Sequence, residues 1–110
     1  MDNKELGKLG EEFTSKLLVR KGYRIICRNF SCKFGEIDIV AVKNDILYFC
    51  EVKTRQNLNF GVPSDAVTAG KRMHMKNAAS YYMQLSRYNY MAFEFKVIEI
   101  LINEIDEVFI

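Results

Sequence analysis

A chain of 110 residues, 49% of them hydrophobic, can fill one core and not two, so a single domain over residues 1–110 is expected. A formal net charge of +2 excludes a strongly polyanionic or polycationic protein, and no apolar run approaches the ~20 residues that a membrane-spanning helix needs. Cys27, Cys32 and Cys50 are odd in number and lack CxxC spacing, which argues against a disulfide framework or a zinc site; residues 1–12 are charged and carry no apolar leader core, and the two together predict a reducing, cytoplasmic setting.

The first element is a predicted helix over residues 4–21. Leu6, Leu9, Phe13 and Leu17 recur at steps of three and four and form its apolar stripe, Lys16, Arg20 and Lys21 suit its C-terminal half, and Gly22 is a natural cap. Residues 23–30 read as a strand. Residues 34–42 and 46–54 are two β-rich runs around Lys43-Asn44-Asp45, a hairpin signal. Residues 57–63 read as a loop, and Ser64 or Asp65 caps a second helix running to about residue 85. Ala66, Ala69, Met73, Ala78, Tyr81 and Tyr82 are expected on its buried side. Residues 91–102 form a further strand, with a short terminal one over 108–110. The order α-β-β-β-α-β predicts an α/β or α+β fold with a mixed sheet flanked by helices.

The modest net charge hides an uneven distribution. Residues 14–92 hold thirteen basic and five acidic side chains, whereas residues 1–13 hold two and four, and residues 93–110 one and five. A basic middle around a few acids suits a polyanion held near a cation, although a solvated surface with acidic ends has the same composition.

The hairpin concentrates the chemistry. Side chains alternate along a strand, so Ile37, Ile39 and Ala41 share one face and Glu36, Asp38 and Val40 the other. On the next strand Phe49, Glu51, Lys53 and Arg55 share a face. A two-residue Asn44-Asp45 loop sets Asp38 opposite Glu51, and Glu36 opposite Lys53, on one side of the sheet. A loop longer by one residue, without a bulge, would separate them. Opposed side chains lie ~4.5–5.5 Å apart at Cβ, and like charges there destabilise a sheet. Paired carboxylates so close need a shared proton, a compensating lysine or a divalent cation such as Mg²⁺ or Mn²⁺. A neighbouring ammonium can then orient a water or steady charge developing on a phosphate. The alternative is an exposed hairpin face with ordinary cross-strand charge pairs.

Gly35-Glu36-Ile37-Asp38-Ile39-Val40-Ala41 followed by Phe49-Cys50-Glu51-Val52-Lys53-Thr54-Arg55 resembles the bipartite motif of the PD-(D/E)xK nucleases, the restriction-endonuclease-like fold that includes archaeal Holliday-junction resolvases. The chain more closely resembles the YraN-type family of small bacterial proteins, itself similar to the resolvases. The likeness takes in Gly10-Glu11, Gly22-Tyr23, Arg28-Asn29, and Gly61-Val62-Pro63 through Lys71. It implies Asp38 and Glu51 as catalytic acids and metal ligands, the Val52 carbonyl as a further ligand, Lys53 as the catalytic lysine and Glu11 as the helix glutamate that completes the metal site. It also implies a homodimer. On a helical wheel Glu11 falls beside Leu18, at the edge of the buried stripe, and Glu12 further toward solvent. The chain departs from the pattern at Glu94-Phe95-Lys96-Val97, where relatives carry an Arg-Phe-Asp-Val type run.

Arg55 shares the face of Lys53 and is the stronger phosphate candidate; Lys71 and Arg72, with Lys76, could touch phosphates from the second helix or form a solvated face. Glu36 is a candidate accessory residue. His74 has no triad partners and reads as a surface residue. The aromatics of residues 81–95 could stack bases but suit a core. These features predict a Mg²⁺- or Mn²⁺-dependent endonuclease acting on nucleic acid, DNA before RNA, without membrane association. A non-catalytic nucleic-acid-binding or adaptor protein on the same fold is the alternative, and an interaction module with a structural acidic cluster is a third.

Overall fold

The computed structural model describes residues 2–56, 69–86 and 92–102. In chain order they form α1 (Asn3–Arg20), β1 (Arg24–Cys32), β2 (Gly35–Lys43), β3 (Ile46–Arg55), α2 (Ala69–Ser86) and β4 (Ala92–Leu101). The expected loop over 57–63, the Ser64 or Asp65 cap with Ala66, the Gly61-Val62-Pro63 segment, and the terminal strand over 108–110 lie outside the described residues. No described helix is long and apolar enough to cross a membrane.

Local chemistry sets the ends of α1. The Asp2 carboxylate accepts the Glu5 N–H at 2.8 Å and so satisfies one of the orphan donors of the first turn. Gly22 ends the helix at φ +93°; its N–H donates to the Val19 carbonyl, and the Tyr23 N–H donates back to Leu18, each at 3.0 Å. Glycine adopts that left-handed conformation without a Cβ penalty.

The four strands form one mixed sheet in the order β1-β2-β3-β4. β1–β2 and β2–β3 are antiparallel and β3–β4 parallel, with α2 in the connection between β3 and β4. The helices pack on opposite faces. Leu18 of α1 closes over Ile39, Ala41, Tyr48 and Cys50. On the other face Ala78, Ala79 and Tyr82 of α2 close over Val40, Leu47 and Phe49. The inner strands are therefore covered on both sides, which is why they read as nearly continuous apolar runs.

Both helices are rotated from the faces that hydropathy predicts. In α1, Leu9 is 43% and Phe13 54% exposed, while Leu6, Gly10, Thr14, Ser15 and Leu18 are buried. The reason is close approach: a Cβ on Gly10 would overlap the Thr54 hydroxyl on β3. Small residues meet the sheet beside Leu6 and Leu18, and Leu9 and Phe13 turn outward. In α2, Met75, Ala78, Ala79 and Tyr82 are buried, whereas the expected Ala69 and Met73 are exposed.

Strict alternation also fails once in β2. Ile37 packs in the α2-side cluster, whereas Ile39 packs in the α1-side cluster. Between them stands Asp38. On its β1 side Arg28 pairs Ile39 and Phe30 pairs Ile37, with Asn29 between them at φ +54°. On its β3 side the ladder ends at Ile39–Cys50. The sheet is irregular on both sides of this one residue.

The two helix glycines give a contrasting pair of expectations. Gly10→Ala should destabilise the fold by about 1–3 kcal/mol through overpacking, and Thr54→Ala in the same chain should recover most of the loss. Nothing lies within 4 Å of a Cβ on Gly7, so Gly7→Ala should stabilise by about 0.5–1 kcal/mol. Urea unfolding of the variants decides both; equal effects at the two positions would refute the close-approach account.

Candidate active site

The turn between β2 and β3 sets the register of the site. Asn44 and Asp45 both have positive φ, at 52° and 63°. Two consecutive left-handed residues define the two-residue turn whose twist matches a hairpin, and Asn and Asp are the non-glycine residues that tolerate it best. Lys43 therefore pairs Ile46, and the ladder runs to Ile39 opposite Cys50. Asp38 and Glu51 are the next residues outward, on the α2 face.

There the strands part. The alternation of an antiparallel ladder would send the Val52 N–H to the Ile37 carbonyl. It donates instead to Asp38 Oδ2 at 2.7 Å. The same alternation turns the Val52 carbonyl toward the β2 side. One carboxylate thus stands in for a strand and holds the parting open. The expected opposition of Glu36 and Lys53 lies beyond the end of this ladder and does not form.

Glu51 is 6% exposed and carries two ammonium groups: Lys71 Nζ at 2.5 Å and Lys53 Nζ at 3.3 Å, both on Oε1. Asp38 lies beside it. Burial raises the Asp38 carboxyl from 3.8 to about 7; the Val52 N–H opposes this, and the charges of Glu51 and Glu11 reinforce it. Burial and the neighbouring Lys71 lower Lys53, against the pull of Glu51. Burial also acts to lower Lys71, but the hydrogen bond and charge of Glu51 outweigh it, and the net direction is upward.

Glu11 comes from the opposite layer and reaches the same charges. Burial raises its carboxyl, Arg28 opposes, and Glu51 and Glu36 add to the rise. Its Oε1 is buried with no hydrogen-bond partner. Glu12, by contrast, is exposed and pairs with Arg28 at 3.0 Å.

An open cleft of about 530 Å³ covers the α2 side of this cluster. Glu36, Asp38, Glu51, Lys71 and His74 line it, together with Gly35, Gly70 and Met75. His74 is the residue that sequence reasoning set aside. Its signal was its place one helical turn after Lys71, on the same face of α2. Arg72 is exposed and does not line the cleft, and neither does Arg55 at the end of β3.

Among the described residues no three His, Cys, Asp or Glu side chains are placed to hold a metal ion as they stand. The physical reason is local: Glu51 is turned to Lys53 and Lys71. The donor chemistry nevertheless fits a hard divalent cation. Asp38 and Glu51 are adjacent, Glu11 offers a buried oxygen without a partner, and all are oxygen donors.

The raised Asp38 carboxyl has a consequence for stability. Between pH 3.8 and about 7 the folded chain holds a proton that the unfolded chain has released, so stability falls as pH rises through that window. Asn at position 38 keeps the acceptor for Val52 and removes the charge. Metal-free Asp38→Asn should therefore be more stable than the unaltered protein at pH 8, by on the order of 1–3 kcal/mol after allowance for partial exposure. The advantage should shrink toward pH 5. Thermal unfolding across pH, in chelator, checks this; an Asp38→Asn protein that is less stable at pH 8 would refute it.

Comparison with known proteins finds relatives along nearly the whole chain. Residues 10–100, which take in Glu11, Asp38, Glu51, Lys53, Lys71 and His74, match the model of the uncharacterised protein family UPF0102. A UPF0102 protein of Caldicellulosiruptor saccharolyticus is 43% identical over 108 residues, covering 98% of this chain and 92% of the relative. One of Dictyoglomus turgidum is also 43% identical over 108 residues, with the same coverage of both chains. One of Clostridium perfringens strain SM101 is 46% identical over 99 residues, covering 89% of this chain and 80% of the relative. The match spans the splayed hairpin and both flanking helices, and the chain belongs to the UPF0102, or YraN-type, family.

Proposed function

We propose that this protein is a Mg²⁺- or Mn²⁺-dependent endonuclease that hydrolyses phosphodiester bonds of DNA, with branched or recombination intermediates as its substrates. One observation carries the reading: Asp38, Glu51 and Lys53 meet at a parted hairpin, with an unpartnered Glu11 oxygen behind them. Two adjacent carboxylates are costly to a sheet unless a proton, an ammonium group or a cation compensates them, and a divalent cation is the compensation that also gives Glu11 a role. The reading carries with it a cytoplasmic setting and a homodimer, as in the resolvases that the motif resembles.

Glu11, Asp38, Glu51 and the Val52 carbonyl would hold the ion, which when bound supplies Lewis acidity at the phosphate and lowers the pKa of a bound water. The protein's own part is positional. The Val52 N–H fixes Asp38, so that carboxylate presents one oxygen to the cleft without rotating. Lys53, whose ammonium form is weakened by burial, stands beside Glu51 to orient the attacking water or to steady charge on the phosphate oxygens. Lys71 keeps its charge and contributes attraction for the phosphate from α2. Arg55, further along β3, serves the flanking backbone, Glu36 borders the cleft as an accessory acid, and Arg72 adds general attraction from outside it.

A second reading draws on the pairing of Glu51 with both lysines. With its charge so compensated, the cluster could be structural and the protein a non-catalytic nucleic-acid-binding adaptor. Cleavage assays separate the two. A labelled branched DNA incubated with the protein and Mn²⁺ or Mg²⁺ should be cut. Asp38→Asn and Lys53→Met should each lose at least about 100-fold in rate with unchanged circular dichroism. DNA bound but uncut in either metal would favour the adaptor; cutting that survives both substitutions would refute this assignment of residues.

Lys71 and a divalent cation compete for one oxygen. Lys71→Met should therefore raise Mn²⁺ affinity by about threefold to tenfold, measured by calorimetry without DNA, while weakening DNA binding. An unchanged or lower Mn²⁺ affinity would show that no competition exists.

A further inference from the structure

A second cleft, of about 380 Å³, lies between the first three turns of α1 and β1, and the chemistry above does not use it. Lys4, Gly7, Lys8, Glu11, Arg28 and Asn29 border it. Among the described residues neither Lys4 nor Lys8 forms an ion pair. Arg28 pairs with Glu12, at side chains 35% and 52% exposed, and its charge also acts on Glu11. A surface pair of that kind is worth little and exchanges readily for a better anion. At Gly7, which borders the cleft, a Cβ would have nothing within 4 Å, so the space beside it is open and not packed.

The cleft joins the carboxylate cluster by two routes. Glu11 borders it and also feels the charges of Glu51 and Glu36. Asn29 borders it too, in the β1 position that lies in register with Asp38, and it holds φ +54° there. Asn is one of the few non-glycine residues that adopt this left-handed conformation readily.

We propose that this α1–β1 cleft binds a phosphodiester group of the nucleic acid one step along the strand from the bond at Asp38 and Glu51, held by Lys4, Lys8 and Arg28. The inference rests on the nucleic-acid reading above and adds to it a track: the strand enters beside Lys71 and His74 on the α2 side, crosses the parted end of the hairpin, and leaves along α1. Glu11 borders the α1–β1 cleft and acts through its charge on Glu51 and Glu36, which border the other. A phosphate on the α1 side answers the local excess of basic side chains, while the acidic side is left for a cation. Contacts of this kind give affinity and position and no sequence choice.

The test is anisotropy of an end-labelled DNA oligonucleotide in chelator, titrated at several salt concentrations. Lys4→Gln with Lys8→Gln should weaken binding about tenfold and lower the slope of log K against log salt by about 2. Gly7→Glu, which puts a negative group into that open space, should weaken binding about as much. Circular dichroism and thermal unfolding report whether each variant folds. Lys16→Gln, further along α1 and outside the cleft, serves as the comparison. Unchanged affinity and slope in the double variant and in Gly7→Glu would overturn the proposal. So would an equal loss per lysine at Lys16, which would mean general charge attraction only. An unaltered protein that binds no DNA at any salt overturns both this cleft and the nuclease reading. Cleft-dependent binding without cleavage in Mg²⁺ or Mn²⁺ leaves the cleft standing and removes the hydrolysis.

Discussion

The hydrogen bond from Val52 N–H to Asp38 Oδ2 is the contact on which the rest of the site depends. It exists because the Asn44-Asp45 turn fixes the register and because the ladder stops after Ile39 and Cys50. A slip of one residue would send Asp38 to the other face and leave Glu51 facing α2 alone. With the bond in place, Asp38 and Glu51 are neighbours, the strands part, and Glu11 comes within electrostatic reach from the opposite layer. A donor that would have served the sheet serves a carboxylate.

This arrangement works against the metal-free fold. Asp38 is shifted toward its protonated form, Glu51 needs ammonium partners, and the Glu11 oxygen has none. Each is the mark of charge gathered for something other than stability, since burying unpaired charge costs free energy. The scaffold offsets the cost elsewhere. Phe49, Leu47 and Val40 are fully enclosed between α2 and the sheet, and Phe49 meets Tyr82 and Phe95 at ring separations of 5.9 and 5.7 Å. The run at Glu94-Phe95-Lys96-Val97 belongs to this supporting structure. Lys96 donates to the Tyr23 hydroxyl at 2.9 Å and lies over the Tyr23 and Tyr48 rings, away from the acidic cleft. The reversed charges there leave the carboxylates untouched.

Much of this was legible in the residues. The element order, the antiparallel hairpin and its two-residue turn follow from β-rich runs and an Asn-Asp pair, because turn chemistry is local. Glu11 was singled out by the family resemblance, and helical phase supported it over Glu12. Local rules failed where packing overrode hydropathy. Leu9 and Phe13 look like core, yet Gly10 sets the phase of α1 through its approach to Thr54, a contact between residues far apart in sequence. The break in alternation at Asp38 has no sequence signature beyond Asn29, whose left-handed conformation is common for Asn in turns and unexpected in a strand. Lys71 read as a phosphate candidate, with His74 one turn after it, but their meeting with Glu51 was not readable, because the position of α2 over the hairpin is a tertiary fact.

The lysines on Glu51 carry one more consequence. On the proposed reading a single ammonium, that of Lys71, is shared between two claims: it neutralises the carboxylate in the empty cleft, or it meets a phosphate and frees the carboxylate for a cation. Binding equilibria joined through one group are reciprocal by thermodynamic necessity. Whatever factor DNA contributes to metal affinity, the metal contributes to DNA affinity. The protein would then hold neither tightly alone and both tightly together, and bare metal would seldom wait in the cleft for a strand to cut.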